Sequence, residues 1–170
     1  MAEDELSALL DRLRTLTGEV EGDLPEPLFA YALQIVPTIN VDLLVNDKAG
    51  RTLLAWRDDE YGAGWHIPGG VIRRYETFAE RIAACADDEL GLVLKHEDQP
   101  CYVLDNGRSY RRGHFISLLF RCAPASPFQR MNLFGDRDHP RNGELAWFVG
   151  APPDLYVTHR AYPDWIWSPV

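Results

Sequence analysis

The stretch Gly69 to Leu92, GGVIRRYETFAERIAACADDELGL, decides how the chain is read. A Gly-Gly pair lets backbone carbonyls and amides approach a ligand with no side chain in the way. Thr77 with Glu80 three residues later is a capping box. Phe78, Ile82, Ala83 and Ala86 then carry the apolar positions of a helix that Gly91 should close. Glu76 stands just before this helix, and Asp88 and Glu89 stand near its end. At about 100° per residue, Asp88 and Glu89 face nearly the same side. Two carboxylates beside an exposed backbone carbonyl suit a hard cation such as Mg²⁺ or Mn²⁺, which takes oxygen ligands and keeps some water.

Working outward, Thr38 to Val45 and Arg51 to Trp56 are short β-branched or apolar runs around the turn Asn46-Asp47-Lys48-Ala49-Gly50, a hairpin pattern. Trp65 to Val71 reads as a short strand broken by a rigid Pro-Gly turn. Cys101 to Leu104 and the nearly all-apolar Phe115 to Cys122 read as further strands, the second of them central. Ala123 to Gly143 is a long polar loop, a length that points to function or mobility. Leu145 to Val149 is a last strand, and Trp165 and Trp167 in the tail should pack on the body. Upstream, Leu6, Leu9, Leu10, Leu13 and Leu16 line one helical face. That face either caps the domain's own core or meets a second copy, making a homodimer. Pro25 and Pro27 mark a linker. The expected division is residues 1–24 as helix and linker and 25–170 as the main domain.

The 170 residues fit one ordinary domain. With 17 Lys and Arg against 26 Asp and Glu, the net charge is −9, a poor footprint for a nucleic-acid binder. An anionic substrate then needs local help from Arg or a metal ion. No apolar run reaches a membrane span, and the acidic start carries no secretory pattern. Three cysteines without C-x-x-C spacing fit a reducing cytoplasm.

Gly70, five residues, Glu76, then Asp88-Glu89-x-Gly91-Leu92 resembles the frame of the Nudix box, G-x5-E-x7-R-E-U-x-E-E-x-G-U, where U is apolar. The Arg of the pattern is replaced by Ala84 and the following Glu by Cys85, and Ala86 takes the apolar position. The resemblance covers Thr38 to Val149. It implies an α/β (α+β) Nudix fold, a mixed β-sheet sandwiched between α-helices, here with an extra N-terminal helix. Cys85 is a poor ligand for Mg²⁺, so a single metal is expected.

Over a wider span the chain is similar to the GDP-mannose mannosyl hydrolase branch. The residues that carry this are Asp42, Leu53-Leu54-Ala55-Trp56-Arg57, Trp65-His66-Ile67-Pro68-Gly69-Gly70, the segment His114 to Arg121 and Arg160-Ala161-Tyr162. That resemblance implies Mg²⁺ on the Gly69 carbonyl and Glu89, with Asp138 and Asp88 as further ligands. It implies Arg57 on the diphosphate, Asp42 near the sugar or leaving side, and His139 as general base. Trp65 is an aromatic wall for base or sugar, and Arg74 a nearby cation; Arg111 and Arg112 are further candidates for phosphate.

The implied reaction is hydrolysis of a nucleotide sugar, such as GDP-mannose, to nucleoside diphosphate and free sugar. The competing readings are an ordinary Nudix pyrophosphohydrolase attacking phosphorus and an inactive nucleotide-binding module.

Overall fold

The computed structural model describes residues 2–20, 22–107, 113–128 and 134–167. Helices α1 (Ala2–Thr17) and α2 (Glu26–Ile35) precede strand β1 (Thr38–Val45). Strands β2 (Thr52–Asp59), β3 (Gly62–His66) and β4 (Gly69–Val71) follow, then α3 (Phe78–Cys85), which continues as a π-helical turn over Ala86–Leu90. Strands β5 (Leu94–His96), β6 (Tyr102–Asn106), β7 (Phe115–Pro124) and β8 (Leu145–Phe148) complete the sheets, and short 3₁₀ turns at Val157–Ala161 and Asp164–Trp167 end the fold.

The strands form two sheets. One is mixed, in the order β4-β1-β7-β5, with β6 also on β7; the other is antiparallel, β3-β2-β8. β7 is central, as its apolar run predicts, lying parallel to β1 and antiparallel to β5 and β6. The hairpin expected between β1 and β2 does not form. β1 is buried from Val41 to Val45, so both its edges need partners, and it takes β4 and β7. Asp47 accepts from the amides of Ala49 and Arg51 and turns the chain away into the second sheet. Only the isolated bridge between Asn46 and Thr52 remains of the expected pairing.

Alternation along β1 sends Val41, Leu43 and Val45 into the core cluster that holds Ile82, Ala86 and Leu90 of the helix. Leu44 joins the other cluster, with Leu54, Trp65, Leu119, Ile166 and Trp167. Asp42, on the same face as Leu44, is thereby aimed at the C-terminal turns. The tail does pack on the body through Trp167, while Trp165 stays 45% exposed.

The capping box on α3 is present in both directions, and Gly91 closes the helix in the left-handed region at φ 60°. The linker expected at Pro25 and Pro27 is instead the start of α2. Proline costs a helix nothing in its first turn, where the missing N–H has no helical partner. All five leucines of the α1 stripe are exposed, Leu16 to 74%. They do not cap the domain's own core.

Candidate functional site

The stretch Trp65 to Gly70 passes from one sheet to the other. Trp65 and His66 end β3, Ile67 and Pro68 cross over, and Gly69 begins β4 opposite Asp42. A Cβ on Gly69 would collide with the Val41 carbonyl and the Asp42 carboxylate, so only glycine fits. A Cβ on Gly70 would lie 3.0 Å from Cys85 Sγ.

Glu89 reaches this corner from the π turn. Its Oε1 accepts from the Gly69 amide at 3.0 Å, and its Oε2 lies 3.2 Å from His66 Nε2. The other ring nitrogen of His66, Nδ1, is 2.7 Å from the Ala55 carbonyl. Burial pushes the His66 pKa down. A neutral imidazole has one N–H, so one of these two close oxygens faces a bare nitrogen. An N–H on both ring nitrogens, or a cation beside Glu89, would match both oxygens.

A half-buried carboxylate on the Gly69 amide fits a cation held by Glu89. Mg²⁺ commonly takes one or two carboxylates, with water and substrate phosphates completing its shell. Cys85 is too soft a ligand to suit Mg²⁺, and burial raises its thiol pKa to about 11. Glu76 is engaged elsewhere, accepting from the Arg73 amide at 2.8 Å, with Arg81 Nε 3.8 Å away.

The expected ligand set of Gly69, Glu89, Asp138 and Asp88 is not gathered as a ready cage. Among the described residues no group of three His, Cys, Asp or Glu is placed to hold a metal. Within the π turn Glu89 is half-buried and Asp88 is exposed. Asp138 is exposed on its loop, its amide bonded to Asp136 Oδ1.

Beside the Glu89 corner lies a small cleft of about 80 Å³, lined by Asp42, Arg57, His66, Gly69, His159 and Phe29 among others. Asp42 is buried and accepts from the Tyr162 hydroxyl at 2.6 Å. Burial raises its pKa to about 6, against the downward pull of hydrogen bonds from Tyr162 and Ser117. His159 Nδ1 accepts from the Ile67 amide at 2.8 Å. The proton of the neutral ring is thereby fixed on Nε2, which lies 3.9 Å from Asp42 Oδ2. Burial holds His159 well below its ordinary pKa, so neutrality is its state. Arg57 stacks its guanidinium over Tyr156 at 5.6 Å and lines the same cleft.

Of the residues expected from sequence, the fold brings Asp42, Arg57 and Gly69 together in this cleft, with Glu89 at its edge. His139 is not among them. Its side chain is 87% exposed, 3.4 Å from Asp136 in a surface loop. Trp65 is no ligand wall: it is buried among Trp56 and Phe148, because the β3 alternation turns it into the core. Arg74 lies outside the cleft, stacked on Tyr75. Arg111 and Arg112 fall outside the described residues. Sequence reasoning missed His159 and the role of His66. The signals were present in His66 beside Pro-Gly-Gly and in the Arg160-Ala161-Tyr162 stretch, which places Tyr162 on Asp42.

Two sheets, the helix after the double glycine and its left-handed glycine stop together define the Nudix fold. The MutT NUDIX hydrolase of Burkholderia pseudomallei superimposes with a TM-score of 0.57 at 20% identity, over 74% of this chain and 94% of that one. A possible asymmetric diadenosine tetraphosphate hydrolase from Jonesia denitrificans gives 0.53 at 19% identity, over 68% and 78%. A UDP-X diphosphatase gives 0.52 at 18% identity, over 89% and 71%. At such identities the likeness establishes the architecture. No family model matches the chain. Among curated proteins, the low-salt glycan biosynthesis protein Agl8 of Haloferax volcanii is 33% identical over 77 residues, 45% of this chain. The match spans about half the length of that relative, 49%.

Proposed function

We propose that the chain is a divalent-metal-dependent hydrolase of a nucleoside diphosphate-linked substrate, a nucleotide sugar such as GDP-mannose. The observation that carries this reading is the Glu89 carboxylate docked on the Gly69 amide, at the edge of a cleft that holds Asp42 and Arg57. The glycan-biosynthesis name of the partial relative points the same way.

Glu89 and the Gly69 carbonyl would hold Mg²⁺, or Mn²⁺, which would supply charge neutralisation for the diphosphate. Arg57 donates its planar fork to the phosphate oxygens. Asp42 is the base in the cleft: it is ionised at neutral pH, and Tyr162 keeps it oriented. It takes a proton from water as the water oxygen bonds to the anomeric carbon. The bond from that carbon to the phosphate oxygen breaks, and the nucleoside diphosphate leaves with the electron pair. His159, its Nε2 3.9 Å from Asp42 Oδ2, lines the same cleft. His139, on its exposed loop, is the competing base.

The second reading is attack on phosphorus, the chemistry suggested by the diphosphatase and tetraphosphate hydrolase names of the neighbours. The neutral Cys85 and the occupied Glu76 leave few carboxylates for the several metals such a reaction favours. The chain's products from GDP-mannose, GDP-glucose, ADP-ribose and dNTPs in Mg²⁺ separate the readings. GDP with free sugar supports the first, and GMP with sugar phosphate supports the second. Ligand-dependent thermal stabilisation without products would leave a nucleotide-binding module.

We place the protein in the cytoplasm, in keeping with three free cysteines; no helix among the described residues is long and apolar enough to cross a membrane. A second copy covers the α1 leucines. Antiparallel pairing sets the acidic first turn, Glu3, Asp4 and Glu5, of one helix against Arg12 and Arg14 of the other.

A further inference from the structure

The cleft around Asp42 is too small for a whole nucleotide, yet a second and larger space adjoins it. Phe29 and Val71 line both. The second chamber, of about 700 Å³, lies between the linker after α1 and the β4–α3 connection, and Arg73, Arg74 and Arg81 all face it.

Arg81 is the informative residue. It is only 5% exposed, and its Nε has no hydrogen-bond partner. The carboxylate oxygen paired with it, Glu76 Oε1, is 3.8 Å away, beyond hydrogen-bond reach. A buried guanidinium N–H with no hydrogen-bond acceptor is costly, because a long ion pair with Glu76 replaces only part of the lost water. Arg81 sits one helical turn before Cys85, so this part of the helix presents positive charge and a neutral thiol.

The other two arginines are held by neighbours that can let go. Arg73 forks onto Asp23, an exposed residue of the linker, at 2.5 and 2.6 Å. Arg74 donates to Tyr75 Oη and stacks over its ring at 4.5 Å. In a protein of net charge −9, three guanidinium groups line this chamber against two carboxylates, Asp23 and Glu26, so its wall carries a small excess of positive charge. Leu24, Phe29 and Ile72 supply an apolar wall beside them.

We propose that this chamber binds the nucleoside end of the substrate, its phosphate on Arg81 and Arg74 and its base against Leu24, Phe29 and Ile72, while the reacting end enters the Asp42 cleft past Phe29. Asp23 acts as a resident anion that occupies Arg73 until the phosphate displaces it. This rests on the reading of the protein as acting on a nucleoside diphosphate derivative.

The test is inorganic pyrophosphate binding to the full chain by calorimetry, in buffer freed of divalent metal so that Glu89 cannot contribute. Wild type should bind. Arg74→Gln should weaken binding about tenfold, as loss of a charged hydrogen bond does. Asp23→Asn should strengthen it by freeing Arg73. Both residues are exposed, so folding does not confuse the result; Arg81→Lys, checked by circular dichroism, should bind more weakly than wild type. No binding by wild type overturns the proposal. So does binding that Arg57→Gln removes while Arg74→Gln and Asp23→Asn leave it unchanged. Failure of the broader functional reading looks different: no products from any substrate, with the Asp23→Asn and Arg74→Gln effects on pyrophosphate intact.

Discussion

Tyr162 and Asp42 lie 120 residues apart in sequence and share a 2.6 Å hydrogen bond in the core. The phenol donates and the carboxylate accepts, which favours the charged form of Asp42 against the pull of burial. Tyr162→Phe removes that support. The acid limb of the pH–rate profile, expected near the Asp42 pKa of about 6, should then move to higher pH. An unmoved limb would take Asp42 out of the role of base and favour His139.

The same burial makes Asp42 a weak point in stability. Its folded pKa lies above its ordinary value of 3.8, at about 6. The native state thus binds more protons than the unfolded chain between these values, and stability falls as pH rises through that window. Above it the ionised group costs on the order of 3 kcal/mol. Asp42→Asn should abolish turnover and raise the melting temperature at pH 7, with a smaller gain at pH 4. Melting curves of both proteins across this range check it, since their difference cancels the other carboxylates.

Glu89→Gln should remove metal-dependent turnover and weaken Mn²⁺ binding by about tenfold or more. Manganese titration followed by electron paramagnetic resonance reads the second effect without reference to activity. Unchanged Mn²⁺ affinity would place the metal elsewhere.

Cys85 stands where the box resemblance has a glutamate. Its buried thiol is a soft donor that suits a hard cation poorly, so Cys85→Ser should leave Mn²⁺ affinity within a few-fold of wild type. Alkylation should reach the half-buried Cys101 before Cys85 or Cys122, whose pKa burial lifts to about 12. Rapid labelling of Cys85 at neutral pH would contradict its environment.

Leu9→Glu with Leu13→Glu should yield monomers in sedimentation if α1 joins two copies. Both side chains are exposed, so the domain's melting temperature should hardly move. A wild-type chain that sediments as a monomer would end the proposal.

Features with local causes were legible in the sequence. The capping box at Thr77 and Glu80, the stop at Gly91 and the span of β1 each depend on neighbours a few residues away. Pairing was not legible: whether β1 meets β2 or β7 is settled by burial on both edges, a property of the whole sheet. The π turn was hidden too, since no local spacing of residues marks where an α-helix widens. Asp42, Arg57 and Gly69 were found through the family resemblance of the segments that carry them. His159 was not, because only the tail's return path brings it to Ile67.

The passage at Ile67 and Pro68 has a mechanical corollary. This short peptide is one of the links between the two sheets, and its neighbours on either side, His66 and Gly69, both contact Glu89. Sliding of one sheet against the other at this link is therefore transmitted to the acidic corner. A ligand that wedges the layers apart would reset the grip of Glu89, coupling the width of the crevice to the hold on the cation.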